Sequence, residues 1–274
     1  MGLNEKFFKS AAGGIDPRDY FMPVVYSGNG ASSVGGNQIT TVGFEPDMIW
    51  IKNRTISGEN SAMVDVLRND LGNIIYPNLS NGEASGNYFT GTSSGFNVNT
   101  DNLNASGTNN YIAWCLKAGG NSNTFNVDGT GYSSASAAGL ATGTDTPTGA
   151  SVNTAGGFSI IKLTASSTAN SNRTVAHGLG VKPSFVLFRR TAQSAWFTWS
   201  AGLSPESYYL YLQDNYSVGQ LTQSAYAWGQ QSFTDTTISW RNSWTFSPNE
   251  ELIAYVWADV AGVQKSGTYT GTGN

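Results

Sequence analysis

The spacing in Gly91-Thr92-Ser93-Ser94-Gly95 is that of a nucleophile elbow, in which a serine hydroxyl is lifted onto a tight strand-to-helix turn. Asp128 or Asp145, and then His177, follow in the order of a hydrolase triad. The elbow requires a helix after the serine. Phe96-Asn97-Val98-Asn99-Thr100 alternates instead as a strand does, so a β-turn is expected at Ser93. His177, in Val175-Ala176-His177-Gly178-Leu179-Gly180, has no nucleophile in view and reads as a turn histidine bonded to neighbouring backbone. Asp65, Asp70, Asp214 and Asp235 are scattered, with no pairing of the kind glycoside hydrolysis uses.

Ligand-binding patterns fare similarly. Asn97-x-Asn99-x-Asp101 opens like a calcium loop, but Asn102 and Thr108 stand where the glycine and the bidentate glutamate belong. Gly28-Asn29-Gly30 lacks the third glycine and the helix of a dinucleotide loop and reads as a turn. One cysteine, Cys115, and one histidine fall short of the roughly four ligands of a structural zinc site. Cys115, within Tyr111-Ile112-Ala113-Trp114-Cys115-Leu116, reads as a small core residue. No enzyme activity and no cofactor are therefore expected. Six of the eight tryptophans fall after residue 190. Trp228 and Trp240, flanked by polar, turn-like sequence, are the candidates for an exposed aromatic contact with a glycan or a partner protein.

The elements that must position these residues come from an internal repeat. Val42-Gly43-Phe44-Glu45-Pro46-Asp47-Met48-Ile49-Trp50-Ile51-Lys52 matches Leu179-Gly180-Val181-Lys182-Pro183-Ser184-Phe185-Val186-Leu187-Phe188-Arg189, with Pro46 set against Pro183. The stretch from Ser106 to Trp114 matches that from Ser247 to Tyr255, in the same order and at nearly the same offset. Each unit joins a Gly-x-x-Pro turn to an apolar run of strand length. Apolar residues in succession predict strands covered on both faces. Trp50 should occupy the place of Leu187, and Trp114 that of Tyr255. The expected fold is all-β: two tandem related β-sandwich, jelly-roll-like domains behind a short N-terminal segment.

The boundaries follow from composition. Residues 1–21 form the leader, where Leu3, Phe7 and Phe8 fall on one face at helical spacing and are the candidates for attachment to another protein. Residues 22–120 form the first domain and 155–262 the second. Between them, 121–154 is a Gly/Ser/Thr-rich linker or excursion. Residues 263–274 begin a third unit or an exchanged strand, since Gly267-Thr268-Tyr269-Thr270-Gly271 echoes Val25-Tyr26-Ser27-Gly28.

Charged residues make up 12% of the 274, about half the usual share, and the net charge is −4 with no basic block. That excludes a nucleic-acid partner, which needs a positive stripe. The N-terminus lacks the apolar core of a secretion signal, and no window approaches the roughly 18 apolar residues of a membrane span.

The stretches from Val25 to Gly30, Val42 to Arg54 and Tyr111 to Gly120, with the second copy from His177 to Pro183, resemble a repeated domain of virion proteins from marine, cyanophage-like tailed bacteriophages. The leader Met1-Gly2-Leu3-Asn4-Glu5-Lys6-Phe7-Phe8 is similar to their N-termini, and the resemblance covers nearly the whole chain. It implies a virion location and a structural role as tail fibre or tail appendage in host attachment. A capsid decoration or head-fibre protein is the alternative, and a carbohydrate-active enzyme a weaker one. The partners implied are a tail adaptor, nozzle or capsid protein bound through the N-terminus, a host surface glycan or protein, and further copies of the chain in a homotrimer. The second unit departs from the pattern in Arg189-Arg190 and in its wealth of tryptophan. Two domains of about a hundred residues are expected to leave some of Trp196, Trp199, Trp228, Trp240 and Trp244 for subunit interfaces.

Overall fold

A computed structural model describes residues 14–203, 208–214, 227–228, 232–242 and 246–272. Leu3, Phe7 and Phe8, and Trp244, lie outside the described residues. Regular structure here is almost entirely β, as the alternating runs predict. Among the described residues no helix is long and apolar enough to cross a membrane.

The first unit contains β1 (Phe21–Ser27), β2 (Asn37–Ile39), β3 (Met48–Asn53), β4 (Ala62–Asp65), β5 (Phe89–Thr92), β6 (Gly95–Val98) and β7 (Asn110–Leu116). They form a four-stranded sheet, β1-β7-β3-β4, and a three-stranded sheet, β2-β6-β5. The second unit contains β11 (Phe158–Thr164), β12 (Ser171–Ala176), β13 (Phe185–Arg190), β14 (Phe197–Ser200), β15 (Leu210–Tyr211), β16 (Thr237–Asn242) and β17 (Glu251–Trp257). Here β11-β17-β13-β14 reproduces the order β1-β7-β3-β4, and β12-β16 reproduces β2-β6.

The registers agree as well as the orders. Met48 opposes Leu116 and Phe185 opposes Trp257; Phe21 opposes Leu116 and Phe158 opposes Trp257. Asn37 opposes Val98, and Thr174 opposes Ser239. Trp50 faces Trp114 across one ladder while Leu187 faces Tyr255 across the other, at the equivalence read from the repeat. A one-residue slip would reverse every side chain between faces, so the match of all three ladders ties the units together more tightly than the sequence identities do. Gly43 and Gly180, which open the paired turns, both have left-handed backbones, with φ of 89° and 71°. A Cβ on either would meet no atom within 4 Å. The backbone angle, not space, selects glycine there.

The segment expected as a linker or excursion is part of the second sheet. It supplies β8 (Phe125–Val127), β9 (Thr130–Tyr132) and β10 (Gly149–Asn153), which extend that sheet in the order β15-β14-β13-β17-β11-β10-β8-β9. Its small residues reflect burial rather than flexibility: Gly149-Ala150-Ser151-Val152-Asn153 is buried throughout. The C-terminal echo of β1 behaves differently. Val260 and Gln264 form an isolated bridge, and beyond it the described residues to Thr272 belong to no strand, with Tyr269 94% exposed.

Two apolar cores result. One runs from the three-stranded sheet through the four-stranded sheet to one face of the large sheet, and joins Tyr26, Phe96, Met48 and Met63 to Ile160, Leu187 and Tyr255. The other fills the opposite face of the large sheet beneath β12 and β16. The two units thus pack through equivalent faces and share a core. Trp228 and Trp240, expected at the surface, are instead 1% and 0% exposed. Trp228 stacks on Phe188 at 6.4 Å and Trp240 meets the same ring edge-on at 6.1 Å. Flanking polarity misleads at these positions because both rings cover one phenylalanine of a central strand. Trp196 and Trp199 are equally enclosed within one chain, so the expectation that such rings need a subunit interface does not hold for these four.

Candidate functional site

The residues with catalytic spacing do not form a triad: Ser93 and Asp128 border one cleft, while Asp145 and His177 are engaged elsewhere. Ser93 occupies the two-residue turn between the paired strands β5 and β6, with no helix after it. Asp145 is ion-paired with Arg173. Asp128 accepts hydrogen bonds from the backbone N–H and hydroxyl of Thr154 at 2.8 and 2.7 Å. His177 is fully buried. Its Nε2 donates to the Thr234 carbonyl at 3.2 Å, and its Nδ1 accepts from the Leu179 N–H at 3.2 Å. Burial pushes its pKa down to about 4, which fixes a neutral ring bonded to backbone. Asn99 binds the Gly35 N–H and the Thr90 hydroxyl, and among the described residues no group of acidic, His or Cys side chains could hold a metal ion.

Two surface features stand out among the described residues. The larger is a cleft of about 970 Å³ at the passage from the first unit to the second, bordered by Glu45, Asp47, Asp70, Ser93, Lys117 and Asp128. Asp47 is its unusual member. Burial raises its carboxyl to about 7, against the pull of backbone N–H groups from Ala118 and Gly120. The Ala118 N–H lies 2.6 Å from Oδ2. A carboxyl poised near neutrality in a cleft has the acidity of a general acid or base, but here its oxygens cap the turn that leads out of β7. The signal for it was in the repeat: Asp47 stands where the second unit has Ser184, and the backbone N–H of each bonds the equivalent strand end, Leu116 or Trp257.

The second feature is an open groove of about 520 Å³ where the face of the four-stranded sheet that carries Trp50 and Trp114 emerges from the second unit, walled by Phe21, Trp50, Trp114, Trp257, Val263, Gln264 and Lys265 over a floor of Met48 and Leu116. Trp50 and Trp114 meet at 73° with ring centroids 6.1 Å apart. Trp257 is braced by Phe158 and Phe185 at 4.9 and 5.4 Å. The expectation of strands covered on both faces fails here. Along β7, Tyr111, Ala113 and Cys115 are fully buried, while Ile112 and Trp114 on the other face are only half-buried. An apolar run records hydrophobicity and cannot say which face a neighbour leaves open.

A buried polar seam joins the two units. The Tyr255 hydroxyl donates to Asp65 Oδ2 at 2.5 Å, and Arg68 Nε donates to the same oxygen at 2.7 Å. The Arg68 guanidinium also reaches the Met63 and Asn73 carbonyls and Glu83. Nearby, Arg189 donates to the carbonyls of Asn81 and Ala192 at 2.6 and 3.1 Å and lies 4.9 Å over the ring of Trp196. The Trp196 Nε1–H donates to the Tyr76 carbonyl at 2.8 Å. Each of these charges has a partner, as burial demands, and three of the bonds, Tyr255 to Asp65, Arg189 to Asn81 and Trp196 to Tyr76, cross from one unit to the other.

The fold and its surface features define a protein of stacked β-sheets with a duplicated unit and an internal polar seam. The chain belongs to the family described as Domain of unknown function (DUF7483), whose match spans residues 16–274. That one match takes in both units and the strands between them. No curated protein and no solved structure matches the chain.

Proposed function

We propose that this chain is a structural protein of a tailed-bacteriophage virion, a tail fibre or tail appendage that takes part in host attachment without catalysis or a cofactor. The observation that carries the reading is the register-matched duplication locked by a buried seam. Two units that share a core and exchange charged hydrogen bonds across their junction make a stiff spacer rather than a hinged one. The resemblance of both units to repeated virion domains points the same way. Asp47, Asp65 and His177 spend their hydrogen bonds on the protein itself, which suits a scaffold better than an active site. We infer further that each unit is one copy of a β-sandwich module, and that identical chains assemble by closed symmetry as a trimer.

Immunogold labelling of intact virions with antibody against this chain tests the location. Labels on the tail are expected. Labels on the head would favour capsid decoration, and a virion without label would overturn the reading. The leader, with Leu3, Phe7 and Phe8, is the proposed attachment segment. Deleting residues 2–12 should leave a folded protein that no longer enters particles. Normal incorporation of the deletion would remove that role.

A further inference from the structure

We propose that the groove walled by Trp50, Trp114 and Trp257 binds an acidic saccharide, a sugar ring that bears a carboxylate. The fold hides some tryptophans and not others. Trp196, Trp199, Trp228 and Trp240 are at most 1% exposed, whereas Trp50, Trp114 and Trp257 are half-buried and share one groove. The Trp50 and Trp114 rings, set at 73°, form a shelf and a wall against which the apolar face of a pyranose can rest. Trp257 is held in place from behind by two phenylalanines, so its ring need not be ordered on binding.

The polar edge narrows the ligand class. The Gln264 amide is fixed, because its Nε2 donates to the Gly157 and Ala258 carbonyls at 2.7 and 2.8 Å. Among the described residues its Oε1 has no partner, which leaves an acceptor for a sugar hydroxyl. Lys265 is exposed, and among the described residues its ammonium takes part in no ion pair or hydrogen bond. No carboxylate lines this groove, while four line the cleft on the passage between the units. In a chain of net charge −4, a lone cation beside an aromatic shelf complements a ligand that is apolar on one face and anionic at one edge.

The inference rests on the attachment reading for the origin of such a sugar on a cell surface. The site itself stands on the geometry. The test uses the full chain, with tri-galacturonate as the acidic probe and maltotriose as the neutral one, followed by calorimetry and tryptophan fluorescence. Saturable binding of tri-galacturonate with a change in fluorescence is expected. Lys265→Gln, at an exposed position, should weaken it about tenfold and leave any maltotriose binding unchanged. Trp114→Ala should abolish it, with a denaturant melt to establish that the variant folds. Lack of saturable binding at millimolar probe, equal affinity for both probes, or indifference to Lys265→Gln would each overturn the proposal. So would light scattering and fluorescence that show a second copy covering the groove. Virion labelling reads the attachment role independently, so either idea can fail alone.

Discussion

Leu187 and Tyr255 in the second unit hold the same ladder positions as Trp50 and Trp114 in the first. The second pair is buried, and Tyr255 is spent on Asp65; the first pair opens onto solvent. Backbone register is identical and side-chain fate is opposite. The two units agree in what hydrogen bonding enforces, namely strand order and register, and differ in what it does not. Both copies of the face meet in the seam, but at this pair of positions one copy is covered and the other borders a groove. The same divergence appears at single titratable groups. Asp47 corresponds to Ser184, and His177 to Thr40, so each unit carries one buried ionisable group where its counterpart carries a hydroxyl.

The largest effect should come from breaking the seam. Asp65→Ala leaves the Arg68 guanidinium, 1% exposed, without its buried partner. Removing one member of such a pair costs about 3–5 kcal/mol, and a drop of that size in urea-unfolding stability is expected. Trp114→Ala, at the position equivalent to Tyr255, should cost less than Tyr255→Ala, because its ring is already half in water. Equal losses would mean that the two faces are equally buried in solution and would erase the contrast.

The titratable pair gives two pH effects of opposite sign. His177 has a folded pKa of about 4, below its ordinary 6.5. Its contribution is intact above 6.5 and is lost as pH falls through 4, because the unfolded chain takes up the proton first. Asp47 has a folded pKa of about 7, above its ordinary 3.8. Its contribution is intact below 3.8 and is lost as pH rises through 7. Each amounts to a few kcal/mol, so they oppose one another across the same window. His177→Gln should leave a stability that only declines from about pH 4 to pH 7, and Asp47→Asn one that only rises. Urea midpoints over that range check both. Unchanged profiles would mean that neither group is as enclosed as its hydrogen bonds imply.

Much of this comparison was legible in the sequence, and the reason is physical. Register follows from the period-two pattern and from the Gly-x-x-Pro turns, so the two matched stretches were enough to align Trp50 with Leu187. Three things were not legible. The strands within residues 121–154 are built from small polar residues whose composition also suits a linker. The burial of Trp228 and Trp240 depends on Phe188, a partner far from both along the chain. The opening at Trp50 and Trp114 is set by where the second unit stops covering the first. All three are properties of packing between elements, to which local composition is blind. The paired glycines lie on the legible side: Gly43→Ala and Gly180→Ala should each cost about 1–2 kcal/mol, the penalty of a left-handed residue with a Cβ. Similar losses in the two variants would support the equivalence of the turns, and a cost at only one would break it.

The smallest effect is expected at Cys115, where the comparison is most exacting. It corresponds to Val256 in the matching strand of the second unit. Both are fully buried, and both face the core on the side away from the meeting of the units, where Cys115 lies beyond Tyr111 and Ala113. Burial raises the Cys115 thiol well above its usual pKa, so it has almost no thiolate with which to react. The native chain should therefore resist thiol reagents and be labelled only as the first unit opens. If the two cores are truly equivalent, Cys115→Val, a swap of similar volume, should cost less than about 1.5 kcal/mol in a thermal or urea melt. A larger loss would show that the extra methyl has nowhere to go, and that the first unit's core has repacked around sulfur despite an unchanged ladder. The labelling rate adds a dynamic reading. If the shared core and the seam couple the units, Tyr255→Phe in the second unit should speed modification of Cys115 in the first. If the units open independently, that substitution should leave the rate unchanged.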